Sequence, residues 1–447
     1  MSALKQDPNF KWLMRGGVIS MLGDQLTMIA LPWLVLKLTG DTLALGLVIA
    51  LMSVPRAVFI LIGGALVDRY SPKRVLMLSK YANAVLLGLL TVLVLNIGSA
   101  PTIALGESLS LTIALTPQLS LQLIYALALA LGLAQAFGIP SGTSIMPLAI
   151  PREHLQAANG MLMGLRQLSM LAGPLVAAGL LAVAGDGGGG TSNGAITDAR
   201  GLALAFGLDC VSFLLSAWTL AKVRPLIVAA APADAQTAPA PQSVLRSVGE
   251  GLRMVWNDAP LRLCFIYWGT VALLIGGAMQ VAIPVLASDL HGATTLGLLM
   301  GAHGAGTLLG MGVAAKFGAR LRFAEFGVMI LLVDGIAGLL LAPLGMVNAA
   351  WQAALLMLAL GLLGGYMQIN VFTWIQRRVP PQMMGRAMSI FMFIFMGLAP
   401  MSAAVAGWLL KYIALSQLFL GGGIILVLFA ALAYLFTPMP SISANTA

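Results

Sequence analysis

Long apolar runs set the rhythm of this chain. Between residues 12 and 436, stretches dominated by Leu, Val, Ile, Ala, Gly, Met and Phe alternate with short polar breaks. Crossing the hydrocarbon of a bilayer takes about 20 apolar residues in a helix. On that measure the pattern predicts spans near 12–36, 43–67, 75–98, 119–140, 158–183, 202–221, 262–286, 294–316, 325–347, 351–374, 385–410 and 416–436. Their length and their lack of strict alternation point to helices and away from barrel strands. One break is long. Residues 222–260 contain an Ala/Pro-rich stretch, Ala229 to Gln242, expected to be disordered. Ser243 to Asn257 follows, with Val244, Leu245, Val248, Leu252, Val255 and Trp256 set among Arg246, Glu250 and Arg253. That spacing predicts an amphipathic helix, either on the membrane surface or as a solvated linker.

Composition narrows the class. Of 447 residues 60% are hydrophobic and 9% charged, with a mean hydropathy of +0.96, which excludes a soluble domain. The net charge of +9 is no sign of nucleic-acid binding once its placement is followed. With both ends in the cytoplasm, the inner segments hold most of the cations, Arg15, Arg69, Lys73, Arg74, Lys222, Arg320 and Arg378 among them. The outer segments hold Lys37, Arg200 and Lys411. This is the positive-inside bias, and it sets the expected topology. The first apolar run is too long for a signal-peptide core and lacks a cleavage site, so it counts as a span. Cys210 and Cys264 both fall within spans, so neither a disulfide nor a metal site is expected. The lack of an N-x-S/T sequon is compatible with a bacterial inner membrane.

Six spans precede the long break and six follow, giving expected domains 1–222, 223–260 and 261–437 with a tail at 438–447. The halves echo each other. Ala30-Leu31-Pro32 recurs as Ala282-Ile283-Pro284, and Leu45-Gly46-Leu47 as Leu296-Gly297-Leu298. Gly173-Pro174-Leu175-Val176-Ala177-Ala178 is matched by Ala399-Pro400-Met401-Ser402-Ala403-Ala404. Agreement in order indicates a duplicated six-span unit with the pathway between its halves.

An ionisable group in lipid costs at least a few kcal/mol, so each one within a span is a candidate for function. These are Asp24, Arg56, Arg166, Asp209, His303 and Asp334. Lys80, near the inner end of span three, can snorkel to the surface and is set aside. Ser20, Gly23, Asp24 and Thr27 share one helical face. A carboxyl group there can take up and release a proton, with Arg56 and Arg166 as candidate counter-ions. The alternative is a permanent ion pair that only joins helices. Asp209 and Asp334 are expected to hydrogen-bond between helices, and His303 to sit in a glycine-rich packing face, Gly301 to Gly306. Met384, Met388, Met392 and Met396 form a stripe on span eleven, most simply a packing surface. The Gly185–Thr191 segment lacks the lysine of a phosphate loop, and no G-x-x-x-x-G-K-S/T occurs, so the chain has no ATPase of its own. Scattered histidines also argue against an intramembrane enzyme.

Between spans two and three, Gly64-Ala65-Leu66-Val67-Asp68-Arg69 leads to Lys73-Arg74. The pattern G-x-L-x-D-R followed by bases resembles the signature loop of the Major Facilitator Superfamily, with Ser71 and Pro72 where a glycine and a base are usual. The segment from Ser169 through Gly173-Pro174 to Ala177-Ala178 resembles the antiporter motif of drug exporters, with Ser169, Ala177 and Ala178 in place of glycines. Together with Phe206 to Phe213, these segments resemble the branch that contains macrolide-efflux and siderophore-exporter-type permeases, among drug:proton antiporters. The resemblance implies an all-α protein of two six-helix bundles, with spans one, four, seven and ten lining a cavity and alternating access between two states. It implies no cofactor, a proton gradient as the energy source, a small-molecule substrate and a monomer in the lipid bilayer. Proton-coupled efflux of amphiphilic or hydrophobic molecules is the function expected. Movement of a specific metabolite, siderophore or lysophospholipid is the alternative, and a membrane sensor or enzyme a remote one. Asp68 is further expected to dock on the N-terminus of span eleven, near Gly385, and to hold the cytoplasmic side closed.

Overall fold

A computed structural model of the chain describes residues 6–69, 71–99, 102–104, 110–112, 115–151, 154–185, 199–224, 244–290, 292–317, 325–380 and 383–443. Among them, twelve helices are long and apolar enough to cross a membrane. Spans one to six are Pro8–Thr39, Thr42–Arg69, Pro72–Leu95, Pro117–Ala149, Leu155–Ala184 and Arg200–Lys222. The linker helix is Val244–Asn257. Span seven runs as Ala259–Val271 and Gly277–Leu290 with a π-helical turn at Ala272–Gly276 between them. Spans eight, nine and ten are Ala293–Phe317, Phe326–Leu341 (extended by a 3-10 turn to Met346) and Ala350–Arg378. Span eleven runs as Met384–Phe393 and Ala399–Leu409 around a second π-helical turn, Ile394–Leu398, and span twelve is Leu415–Phe436. Each predicted span overlaps one of these helices, with the largest difference in span four, which runs on to Ala149.

The helix starts have local causes. Asp7, Thr116 and Asp258 each accept a hydrogen bond from the amide three residues on, followed by a proline at the first helical positions. Gly40, at φ +62, ends span one in the left-handed conformation that glycine adopts without strain. Span three shows how each helix divides its surface. Leu78, Val85, Leu89 and Val92 are exposed, as suits a face that meets lipid tails, while Leu76, Ser79, Asn83, Leu87 and Leu90 are buried. One feature was not legible in the apolar pattern. A short hairpin between spans three and four pairs β1 (Thr102–Ala104) with β2 (Ser110–Thr112), Ile103 opposite Leu111.

The chain divides into two compact units. The first comprises Met1–Gly40, Pro55–Gly173 and Leu180–Val248, and the second Asp41–Val54, Pro174–Gly179 and Gly249–Ala447. Within the second unit the repeated motifs acquire a physical meaning. Gly46 lies flush against the Ala403 backbone, and its echo Gly297 against Ala178. Any Cβ at either glycine would collide, so each marks a site where two helices touch. The residue that follows span twelve's tail also has a place. Met439 is fully buried, Ile442 accepts a hydrogen bond from the Gly327 amide at 3.1 Å, and Ser443 pairs with Glu325. What reads as a tail is a strap on the start of span nine.

Candidate functional site

In the first unit, spans one and six meet along a seam of small and hydroxylated residues. Gly16, Ser20, Gly23 and Thr27 recur every three or four residues on span one, and Asp209, Ser212, Ser216 and Thr219 on span six. Ser20, Thr27, Asp209, Ser212, Ser216 and Thr219 are all buried. The helices approach closely enough that a Cβ at Gly23 would collide with Ser212 Oγ and Asp209 Oδ1, and one at Gly16 with Thr219 Oγ1. Every buried polar group in such a seam needs a partner. The Thr27 hydroxyl donates to Asp209 Oδ2, and the Ser212 hydroxyl lies 2.9 Å from Asp209 Oδ1. Ser216 donates to the Gly16 carbonyl at 2.7 Å and lies 3.5 Å from Ser20 Oγ.

Asp24 stands beside this seam. Its Oδ1 is buried and has no hydrogen-bond partner among the described residues. Three cations act on it electrostatically: Lys80 of span three most strongly, then Arg56 of span two and Arg166 of span five. Lys80 does not snorkel away, as its position near the end of span three suggested. Its ammonium lies 3.5 Å from Ser20 Oγ and 5.6 Å from the centre of the Phe213 ring, between spans one and six. It acts on Asp209 as well as on Asp24. Arg56 is anchored separately, donating from Nη1 to Gln135 Oε1 of span four at 3.3 Å, while its buried Nε is unpartnered among the described residues. On span five, Arg166, Ser169 and Gly173 share a face that meets Gln25 of span one. Gln25 Nε2 donates to the Ser169 carbonyl at 3.3 Å, and a Cβ at Gly173 would collide with the Gln25 side chain. The six helices thus bring two acids, three cations and two amides into one neighbourhood. No cluster of three or more metal-ligating side chains occurs among the described residues.

The sequence profile of the Major Facilitator Superfamily matches residues 13–404. The chain belongs to the Major Facilitator Superfamily. It is therefore a transporter of small molecules and not an enzyme, and with its twelve apolar helices a multi-pass membrane protein. A multidrug efflux pump of Mycobacterium tuberculosis, Tap, is 24% identical over 409 residues, covering 89% of this chain and 86% of its own. Among solved structures, a D-xylose-proton symporter superposes with a TM-score of 0.66 at 14% identity, over 98% of this chain and 99% of that one. The nucleoside transporter NupG gives 0.66 at 13%, over 95% and 98%. A bacterial homologue of the lysosomal transporter Spinster gives 0.63 at 15%, over 96% of each.

The superfamily's signature segments are placed as follows. Span two is helical through Arg69, but the side chains of Gly64, Asp68 and Arg69 lie outside the described residues, as do the Gly385 environment and the linker 229–242. Lys73 is committed to structure: its ammonium donates to the carbonyls of Ala221 at 3.1 Å and Val223 at 2.7 Å, closing the C-terminal end of span six. Arg74 is exposed. In span five, Ser169 and Gly173 face Gln25, while Ala177 and Ala178 are buried and Ala178 and Pro174 meet Gly297. The linker helix keeps Leu252 and Trp256 exposed on one side. On the other it buries Val255 and pairs Glu250 with Arg386 at 2.7 Å.

The candidates of the second half stand apart. His303 lies where spans eight and ten touch backbone to backbone through Gly306, Gly310, Gly361 and Gly365. Its Nδ1 has no partner among the described residues, and its ring also reaches the backbone of Met357. Asp334 of span nine faces Tyr267 of span seven, whose ring stacks on Phe429 at 5.1 Å. Asp24, Arg56 and Arg166, singled out from the sequence, are thus brought together, while Lys80, Gln25 and Gln135 join them without having been singled out. Lysine and glutamine have ordinary surface uses near helix ends, and only the phase of neighbouring helices turns them inward.

Proposed function

We propose that the protein is a proton-coupled exporter of amphiphilic or hydrophobic small molecules, working by alternating access in a bacterial inner membrane with both termini in the cytoplasm. The observation that carries this reading is Asp24: a span-embedded carboxyl group with one oxygen unpartnered, within the field of Lys80, Arg56 and Arg166. A carboxyl so placed can exist protonated and neutral, or ionised against the cations. Alternating exposure of that group to the two sides of the membrane couples the proton gradient to transport. The sequence carries no nucleotide-binding loop, which leaves an ion gradient or the substrate's own gradient as the energy source. Export is supported by the likeness to Tap, named a multidrug efflux pump. Topology is supported by the distribution of cations and by the aromatic anchors at one end of spans one and six. There Trp12 packs on Trp218 at 5.4 Å, with Arg15 and Lys222 over their rings.

A second reading, transport of one specific polar metabolite, is favoured by Gln25 and Gln135 beside the cations, since amides orient hydroxylated ligands. Proteoliposomes with an imposed pH gradient and a panel of amphiphiles and metabolites test both. Accumulation of several amphiphiles against their own gradient, collapsed by a protonophore, is expected. Uptake of one polar metabolite alone favours the second reading, and transport indifferent to the pH gradient contradicts proton coupling.

A further inference from the structure

We propose that Asp24, Lys80 and Asp209 form one proton-exchange unit, in which Lys80 is a counter-ion shared by the two carboxylates. The proposal rests on the proton-coupled reading above and deepens it by assigning the cation and the second acid.

Two contacts place Lys80 in the seam. Its ammonium lies 3.5 Å from Ser20 Oγ, one helical turn from Asp24 on span one, and 5.6 Å from the centre of the Phe213 ring, one turn from Asp209 on span six, so its charge acts on both acids. Asp24 and Asp209 also act on one another, so the region holds two mutually repelling carboxylates. Two such groups in a low-dielectric seam do not both ionise freely beside a single ammonium. The acids are not equivalent. Asp209 has both oxygens within hydrogen-bond reach of hydroxyls, Thr27 and Ser212, and its helix is pressed against Gly23. Asp24 has an oxygen with no partner. Asp24 is thus the group open to a proton, and Asp209 the one held in place.

When Asp24 is ionised, it draws the ammonium of Lys80. When a proton adds to Asp24 Oδ1, the charge of Lys80 is left to Asp209. The proton later leaves from the same oxygen, and no other bond changes. A lysine suits this role because its ammonium is a point charge on a flexible stem, whereas a guanidinium is held by its planar fork. Arg56 is already tied to Gln135, and Arg166 extends from span five. Among the described residues, Cys210 also adjoins the seam, its thiol 3.1 Å from the Ala84 carbonyl on span three, and Arg15 and Lys222 lie at one end of spans one and six, over Trp12 and Trp218.

Infrared titration of the protonated-carboxyl stretch, on purified full-length protein in lipid bilayers, tests the unit without requiring transport. Lys80→Gln should move the titration midpoint up by about one pH unit, and Asp209→Asn, which removes a like charge, should move it down. Lys80→Arg should keep it near the wild-type value, and the Lys80→Gln/Asp209→Asn pair should return towards it. Shifts of the same sign in the two single variants overturn the proposal. So does an Arg56→Gln shift as large as that of Lys80→Gln, or no shift at all. Asp209→Asn preserves the hydroxyl contacts, so its sign decides even if Lys80→Gln does not fold. If these shifts appear while a pH gradient drives no transport, the unit stands and the proton-coupled reading fails.

Discussion

At the scale of single residues, the seam between spans one and six makes sharp demands. Gly23 sits where any side chain would meet Ser212 Oγ and Asp209 Oδ1. Gly23→Ala should therefore destabilise the protein by about 1–3 kcal/mol, the usual range for overpacking, read as a drop in thermal unfolding midpoint. Asp24→Asn is a different kind of change, because it keeps shape and hydrogen bonding and removes only the titrating proton. It should abolish gradient-driven transport while substrate binding and thermal stability stay near wild type. Uphill transport at the wild-type rate in the Asn variant would remove Asp24 from the mechanism. Asp24 stood out in the sequence because an acid within an apolar helix is costly unless it is paired or used. Its partner was not legible. Whether Lys80 turns towards span six or towards the surface depends on helix rotation, which twenty apolar residues do not encode.

Helices and loops were the easier part of the molecule to read. Apolar length alone located all twelve spans, since a bilayer imposes that length irrespective of detail. Periodicity could not reveal the π-helical turns. The one at Ile394–Leu398 ends two residues before Pro400, whose missing N–H and ring disturb the preceding turn. The other, Ala272–Gly276, is followed by Gly277, and the Gly277 amide donates to Ser402 Oγ at 2.9 Å. In the loop before span two, Asp41 receives a hydrogen bond from Lys411 at 2.8 Å and another from the Leu43 amide. Burial pushes the Asp41 carboxyl up, but Lys411 and the Leu43 and Ala44 amides together outweigh it and hold it below the usual carboxylate range. A depressed value means that the stabilisation is present at neutral pH and is lost as pH falls through that value. The pair is over a third exposed, so screening leaves at most about 1 kcal/mol. Asp41→Asn should lower the unfolding midpoint slightly at pH 7 and show no difference from wild type once the carboxyl is protonated in acid. After span twelve, Met439→Ala should cost about 2–5 kcal/mol, because it empties a fully buried site. Loss of less than half a kcal/mol would mean that the strap on span nine is not fixed in solution.

For the whole molecule, the echoed motifs of the two halves are placed alike. Ala30-Leu31-Pro32 and Ala282-Ile283-Pro284 are buried alike, and Gly46 and Gly297 perform the same close approach to Ala403 and Ala178. The charged residues do not follow this symmetry. Asp24, Asp209, Lys80, Arg56 and Arg166 all belong to the first unit, while Asp334 and His303 belong to the second and lie where helices meet. The proton chemistry proposed above therefore rests on residues of one unit. The most direct measurement is proton movement itself, followed with a pH-sensitive dye inside proteoliposomes when a transported amphiphile is added without any imposed gradient. A substrate-triggered proton flux is expected in the wild type, opposite in direction to the amphiphile, and none in Asp24→Asn. Amphiphile movement at full rate with no proton flux, or a flux that survives in Asp24→Asn, would contradict proton coupling through Asp24.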